Sequence, residues 1–222
     1  RVPQAVQQIA DQILNRIPDN RRIKKQWASR PEGGSVDHVT SIEDVPLHQS
    51  DWLILARTND KLIKLKSILK EMAIYFEIKD RKSYKTRLYT AVKHYTRWTK
   101  GDKLSLSECK DLFEYLELDQ ELKEERMYDL QEFGYNTTDE WYEVFKSDPE
   151  ECLYIREMLR NKEELSHPAR VKLSTIHAAK GGEATNVLLI LDNTRKIREA
   201  VDKSEDKHDE EHRVWYVGVT RT

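Results

Sequence analysis

The chain has 222 residues, of which 35% are Asp, Glu, Lys or Arg and 38% belong to the hydrophobic set, with a formal net charge of −2. That length accommodates one or two domains with a proper core, and no apolar run approaches the roughly 20 residues a membrane-spanning helix needs. Two cysteines, Cys109 and Cys152, cannot make a disulfide framework or a Cys-rich zinc site, and nothing at the N-terminus resembles a signal peptide; a reducing, cytoplasmic setting is expected.

The small net charge hides segregation. Residues 1–30 carry seven Lys/Arg against two Asp/Glu, and residues 80–103 carry eight against two. Residues 108–132 invert this, with ten acidic residues against three basic ones. Each run alone reads as a solvated helix face. A basic patch on one face is also what binds nucleic-acid phosphates, so the total charge does not exclude such a partner.

Along the chain, Val2, Val6, Ile9, Ile13 and Ile17 recur at helical spacing, with Pro3 near the start where proline is tolerated. They predict an amphipathic helix ending near Pro18, Asp19 and Asn20, followed by a linker with Pro31, Gly33 and Gly34. Trp52 to Ala56 is a continuous apolar run of the kind found in buried parallel strands. Leu62, Leu65, Ile68, Leu69 and Met72 return to helical spacing, and Ile74 to Ile78 is a second strand candidate. Strand, helix and strand at these intervals predict a βαβ unit. Residues 82–166 contain no convincing strand. Tyr84, Leu88, Val92, Tyr95 and Trp98 share a helical face and are expected in a core, while Lys85, Lys93 and Arg97 could track phosphates. This stretch reads as an all-helical insertion closing near Pro168. Strands are predicted again at Val171–Ile176 and Val187–Leu191. Residues 192–212 read as a charged surface excursion, and a helix around Glu210–Val217 leads to the C-terminus.

Three stretches carry chemistry: Leu55-Ala-Arg-Thr-Asn59, Ser174-Thr-Ile-His-Ala-Ala-Lys-Gly-Gly-Glu183, and Glu210-Glu-His-Arg-Val-Trp-Tyr-Val-Gly-Val-Thr-Arg-Thr222. Together they resemble motifs of the UvrD/Rep/PcrA-like superfamily 1 ATP-dependent DNA helicases. The last resembles the family pattern Glu-Glu-Arg-Arg-Leu-x-Tyr-Val-Ala/Gly-x-Thr-Arg-Ala almost position by position. The resemblance makes Arg221 the arginine that meets the ATP γ-phosphate between two RecA-like domains, a task that suits an always-charged, bidentate guanidinium. Arg1, in Arg-Val-Pro before a helix, resembles the arginine of the family's Asn-Tyr-Arg-Ser segment, a second γ-phosphate contact. In the middle stretch, Glu183 matches the glutamate that approaches the ATP ribose, beside Gly182, where many relatives have Leu; glycines there permit positive φ and close backbone approach. Thr175 and His177 match residues that bind single-stranded DNA or transmit the nucleotide state. Arg57 and Asn59 match DNA contacts, although Asn59 could instead cap the helix expected from Asp60.

No G-x-x-x-x-G-K-[ST] phosphate cradle occurs, and no acidic strand end resembles a Mg²⁺-holding Asp-Glu pair. The resemblance places both in an N-terminal RecA-like domain upstream of Arg1. The expected architecture is thus an α/β RecA-like parallel sheet flanked by helices over residues 1–79 and 169–222, truncated at its C-terminus. An all-helical subdomain is expected to be inserted at 80–168. The expected function is that of the C-terminal part of an ATP-dependent DNA helicase or translocase, moving 3′ to 5′ on single-stranded DNA, with ATP and Mg²⁺ as cofactors. The short insertion resembles compact virus- or phage-encoded members, so a bacterial or phage-infected cell is the expected setting. The motor of a helicase-nuclease subunit and a non-enzymatic DNA-binding relative are the alternatives.

Overall fold

The computed structural model describes residues 2–22, 27–30, 33–116, 122, 125–134, 139–179 and 182–222. The chain divides into two compact units, residues 1–81 with 167–222, and residues 82–166.

The first unit is built on a sheet of β1 (Trp52–Ala56), β2 (Phe76–Ile78), β3 (Arg81–Lys82), β4 (Val171–Thr175) and β5 (Asn186–Leu189) in the order β3-β2-β4-β1-β5. β4 runs parallel to β1 and β2, and β5 runs parallel to β1. This is the α/β RecA-like arrangement expected from the sequence. β1 is apolar throughout because both of its faces are covered. On one face Ile54 and Ala56 join Phe76, Val171 and Leu173 against Leu62, Leu65 and Leu69 of α2 (Asn59–Glu71). On the other, Leu53 and Leu55 pack with Ile176, Ala179 and Val214, the last from α8 (Glu205–Val219). The N-terminal helix α1 (Gln4–Leu14) lies along α8 and buries Val6 and Ala10.

Three expectations need correction. The strand predicted from Ile74 begins only at Phe76. Ala73 takes a left-handed φ of 52°, and the Ile74 N–H returns to the Leu69 carbonyl at 2.9 Å, so these residues close α2. β2 then turns at once into β3, a strand not expected from the sequence: Lys79 and Asp80 hold φ of 50° and 60°, the signature of a two-residue hairpin turn, without the usual Asn-Gly. Finally, the charged stretch 192–212 is mostly helical. Thr194 caps α7 (Arg195–Lys203), and Ser204 caps α8, which begins at Glu205, five residues before Glu210; the Ser204 hydroxyl accepts the Lys207 N–H at 3.4 Å. A serine cap followed by Glu205 and Asp206 in the first turn stabilises a helix start whatever the polarity of the residues beyond it.

α8 approaches the sheet closely at Gly218. A Cβ there would stand 3.0 Å from Leu189 Cδ1 and 3.3 Å from Ile176 Cδ1. Both atoms end flexible side chains, so Gly218→Ala is expected to be near neutral, helped by better helix propensity. Gly218→Leu should lower stability by about 1–3 kcal/mol through overpacking. Thermal unfolding of the two variants checks this, and equal melting temperatures would show that the helix can move away freely.

The second unit contains α3 (Thr86–Thr99), α4 (Leu106–Leu116), α5 (Trp141–Val144) and α6 (Pro149–Arg160). Tyr84, Leu88, Val92, Tyr95 and Trp98 are buried, as their spacing predicted. Trp98, Phe113 and Phe133 form one aromatic cluster, with Phe113 and Phe133 edge to face at 4.9 Å. α3 lacks a side-chain cap of its own, and the buried Glu151 carboxylate accepts the Lys85 N–H at 2.7 Å instead. Elsewhere the paired Arg126 guanidinium, then the Asp129 backbone N–H, hold the Glu132 carboxyl down to about 2 from an ordinary 4.5. Because the folded value is the lower one, this stabilisation is present above about pH 4.5 and fades as pH falls toward 2. A carboxyl ¹³C titration should place the Glu132 midpoint near 2, and Arg126→Ala should raise it.

Candidate functional site

The carboxyl ends of parallel strands are where open α/β sheets gather ligands. There the first unit brings together four of the residues singled out from sequence. Arg57 directly follows β1, and Thr175 ends β4 in register with Ala56. His177 lies two residues further on, and Asn59 opens α2. Thr175 Oγ1 accepts the Ala178 N–H at 3.2 Å, which turns the chain sharply after the strand and leaves His177 exposed. Asn59 is exposed and is the first residue of α2, so it is not the cap. That position belongs to Thr58, whose buried hydroxyl has no partner among the described residues.

Arg57 is held firmly. Its Nε donates to both carboxylate oxygens of Glu211, at 3.1 and 2.9 Å, and its Nη1 approaches His177 Nδ1 at 3.5 Å. Glu211 is buried on α8, and its Oε1 also accepts from Asn193 Nδ2 at 3.2 Å. The neighbouring Glu210 points outward to Lys207, whose hydrogen bond holds its carboxyl below the usual range; the positive charges of Arg57 and His177 add to this. A second arginine clamp lies further up the same helix. Arg21 Nε meets the buried Asp209 at 2.7 Å and Arg21 also pairs with Glu205.

The opposite, amino end of the sheet carries the other set. The start of β5 is tied to the start of β1, since Asp51 accepts the Thr185 N–H at 2.8 Å and hydrogen bonds from Thr185 hold its carboxyl below the usual range. Glu183 stands just before this point, exposed. The neighbouring Ala184 N–H donates to the Arg221 carbonyl at 3.2 Å, which brings the backbone next to Glu183 to Arg221 although 37 positions separate the bonded pair. Arg221 Nε donates back to the Val217 carbonyl at 3.1 Å, which uses a free carbonyl of the last turn of α8. Its Nη1 and Nη2 have no acceptor among the described residues. A guanidinium fork with both outer nitrogens open can take phosphate oxygens, and an exposed carboxylate such as Glu183 can accept from a sugar hydroxyl. Gly182 does not use its conformational freedom. Its φ is not positive, and a Cβ would make only ordinary contact with the Ala179 carbonyl, at 3.4 Å. Arg1 lies outside the described residues.

Glu211 lies in the last motif stretch with no role assigned to it from sequence, and Asn193 lies outside all three stretches. A signal was present for the first: Glu211, Val214 and Gly218 share one face of α8 at helical spacing, and that face is buried. A carboxylate on a buried face needs a cation. Nothing in the local sequence names Arg57 as that cation.

Among the described residues no helix is long and apolar enough to cross a membrane, and no cluster of His, Cys, Asp and Glu could hold a metal ion. Comparison with curated proteins finds no match, and neither does comparison with solved structures. The family model described as UvrD-like helicase C-terminal domain matches residues 81–222, which include both the Ser174–Glu183 stretch and the Glu210–Thr222 stretch. That is more than half of the chain, and the chain therefore belongs to the UvrD-like helicase family, through its C-terminal domain.

Proposed function

We propose that the chain is the second RecA-like domain of an ATP-dependent DNA helicase or translocase, with residues 82–166 as its helical insertion. In this reading Arg57, Asn59, Thr175 and His177 bind single-stranded DNA, and Arg221, Glu183 and Gly182 complete an ATP site. Arg1, matched to the second phosphate arginine, is included on sequence alone. The observation that carries the reading is the sorting of the motifs. Residues matched to DNA gather at the carboxyl ends of β1 and β4, and residues matched to nucleotide gather at the amino end, with α8 reaching both. A five-residue strand puts these ends about 15 Å apart.

ATP with Mg²⁺ supplies the phosphoanhydride that is cleaved. An N-terminal RecA-like domain of the same protein supplies the phosphate cradle and most of the Mg²⁺ ligation. This chain contributes charge and position: the Arg221 fork faces phosphate oxygens, its backbone is fixed through Ala184, and Glu183 orients the sugar. At the far end Arg57 offers a fixed cation to a DNA phosphate, and Asn59 offers an amide that both donates and accepts. Translocation from 3′ to 5′ follows from the family resemblance.

The test is ATP turnover with and without oligo(dT). The 222-residue chain alone is expected to show no DNA-stimulated ATPase, because no P-loop is present. The protein combining it with its P-loop domain should show strong stimulation. Robust turnover by the chain alone would overturn the two-domain assignment.

A further inference from the structure

The Arg57–Glu211 pair is arranged in an unusual way for an arginine proposed to touch DNA. A carboxylate beside a phosphate-binding arginine cancels charge that the phosphate would otherwise feel. Glu211 is nonetheless buried, doubly engaged by Arg57 Nε and additionally held by Asn193. Only one of the five guanidinium N–H donors is spent on it. The side chain of Arg57 is 17% exposed, and that of Glu211 is 7% exposed. Nη1 approaches exposed His177 at 3.5 Å, and Nη2 has no acceptor among the described residues.

We propose that Glu211 is a positioning residue for single-stranded DNA: gripped by Asn193, it fixes Arg57 through Nε and leaves the Nη face aimed beside His177 to receive a backbone phosphate. The inference rests on the reading of Arg57 as a DNA contact given above.

Arginine is rich in rotamers, and ordering it at the moment of binding weakens binding. Here Glu211 does that ordering when the domain folds. The anchor is rigid because it sits on α8, with Val214 and Gly218 packed on the sheet one and two turns later. Glu210, one position earlier, is occupied by Lys207 and carries no such restraint. Geometry and charge therefore make opposite demands at Glu211, and the sign of a measured effect tells which one wins.

The experiment measures anisotropy of labelled oligo(dT) with the full chain across a salt titration, alongside thermal unfolding. On charge alone, Glu211→Ala would tighten binding by removing a negative group near the phosphate. The positioning role predicts the reverse, a loss of about fivefold or more, because Arg57 becomes free to wander. Glu211→Gln keeps an oxygen for Nε–H and for Asn193 while losing the charge. It should bind within about twofold of the parent or more tightly. Glu211→Ala binding as tightly as the parent would overturn the proposal. If that variant does not fold, Asn193→Ala decides. It removes one restraint on Glu211, and an amide oxygen already buried without a partner. It should weaken binding about two- to threefold at an unchanged melting temperature, and unaltered binding would overturn the proposal. Arg57→Ala keeps the two layers apart. If its affinity and salt dependence match the parent, the DNA reading of Arg57 is wrong. If they fall while Glu211→Ala binds normally, only the positioning role is wrong.

Discussion

On the proposed reading, Arg221→Ala in a protein that joins this chain to a P-loop domain is expected to cut ATP turnover by on the order of 10³-fold or more. An arginine aimed at a transferring phosphoryl group stabilises charge that develops only in the transition state, so its loss falls on the chemical step. The main chain at Arg221 is fixed by the Ala184 N–H and its Nε by the Val217 carbonyl, so the open fork is already oriented. Arg221→Lys should fail nearly as badly, since a point charge on a flexible stem cannot replace a planar fork. Single-stranded DNA affinity should change little, because Arg57 and His177 lie at the other end of the sheet. Single-turnover hydrolysis measured together with DNA anisotropy checks both halves. A lysine variant with near-normal turnover would show that Arg221 is not the transition-state contact.

Arg57→Ala should have two separable consequences. It leaves the buried Glu211 carboxylate with only Asn193 beside it. Removing one partner of a buried ion pair costs about 3 kcal/mol, which for a unit of this size lowers the melting temperature by several degrees. The same change should weaken single-stranded DNA binding and reduce its salt dependence by roughly one phosphate's worth of counterion release. A purely structural Arg57 predicts the first effect alone. The salt slope, measured well below the melting transition, therefore decides, and an unchanged slope would falsify the DNA contact. Basal ATPase should alter little, while half-maximal stimulation should need more DNA.

Much of this protein is legible locally. The apolar run of β1, the 3.6-residue spacing of α2 and the core face of α3 each follow from what a short segment must bury, so Leu53–Ala56, Leu62–Leu69 and Leu88–Trp98 read correctly in isolation. The motif stretches are legible for a related reason. A family pattern is a set of particular side chains at fixed spacing, and the Ser174–Glu183 and Glu210–Thr222 stretches, both inside the matched residues, carry such spacings in the chain itself. The β2–β3 hairpin was hidden because Lys79 and Asp80 adopt left-handed φ without the residues that usually announce it. The helices at 195–219 were hidden because their polarity speaks for exposure, while the caps at Thr194 and Ser204 decide that they form.

What the sequence by itself determined is therefore the α/β class, the helical character of the middle segment and the family. What only the tertiary structure decided is which motif residues meet. Parallel pairing sets Arg57 beside the end of β4, and the antiparallel return of α8 carries Glu211 to Arg57 and Arg221 to Ala184. Those meetings join residues 154 and 37 positions apart. Long-range pairing of this kind is set by strand order and by burial of a whole helix face, and no local spacing encodes either. Glu211 shows the consequence most clearly: its burial can be read from the face it shares with Val214 and Gly218, but its partner depends on where β1 ends in space.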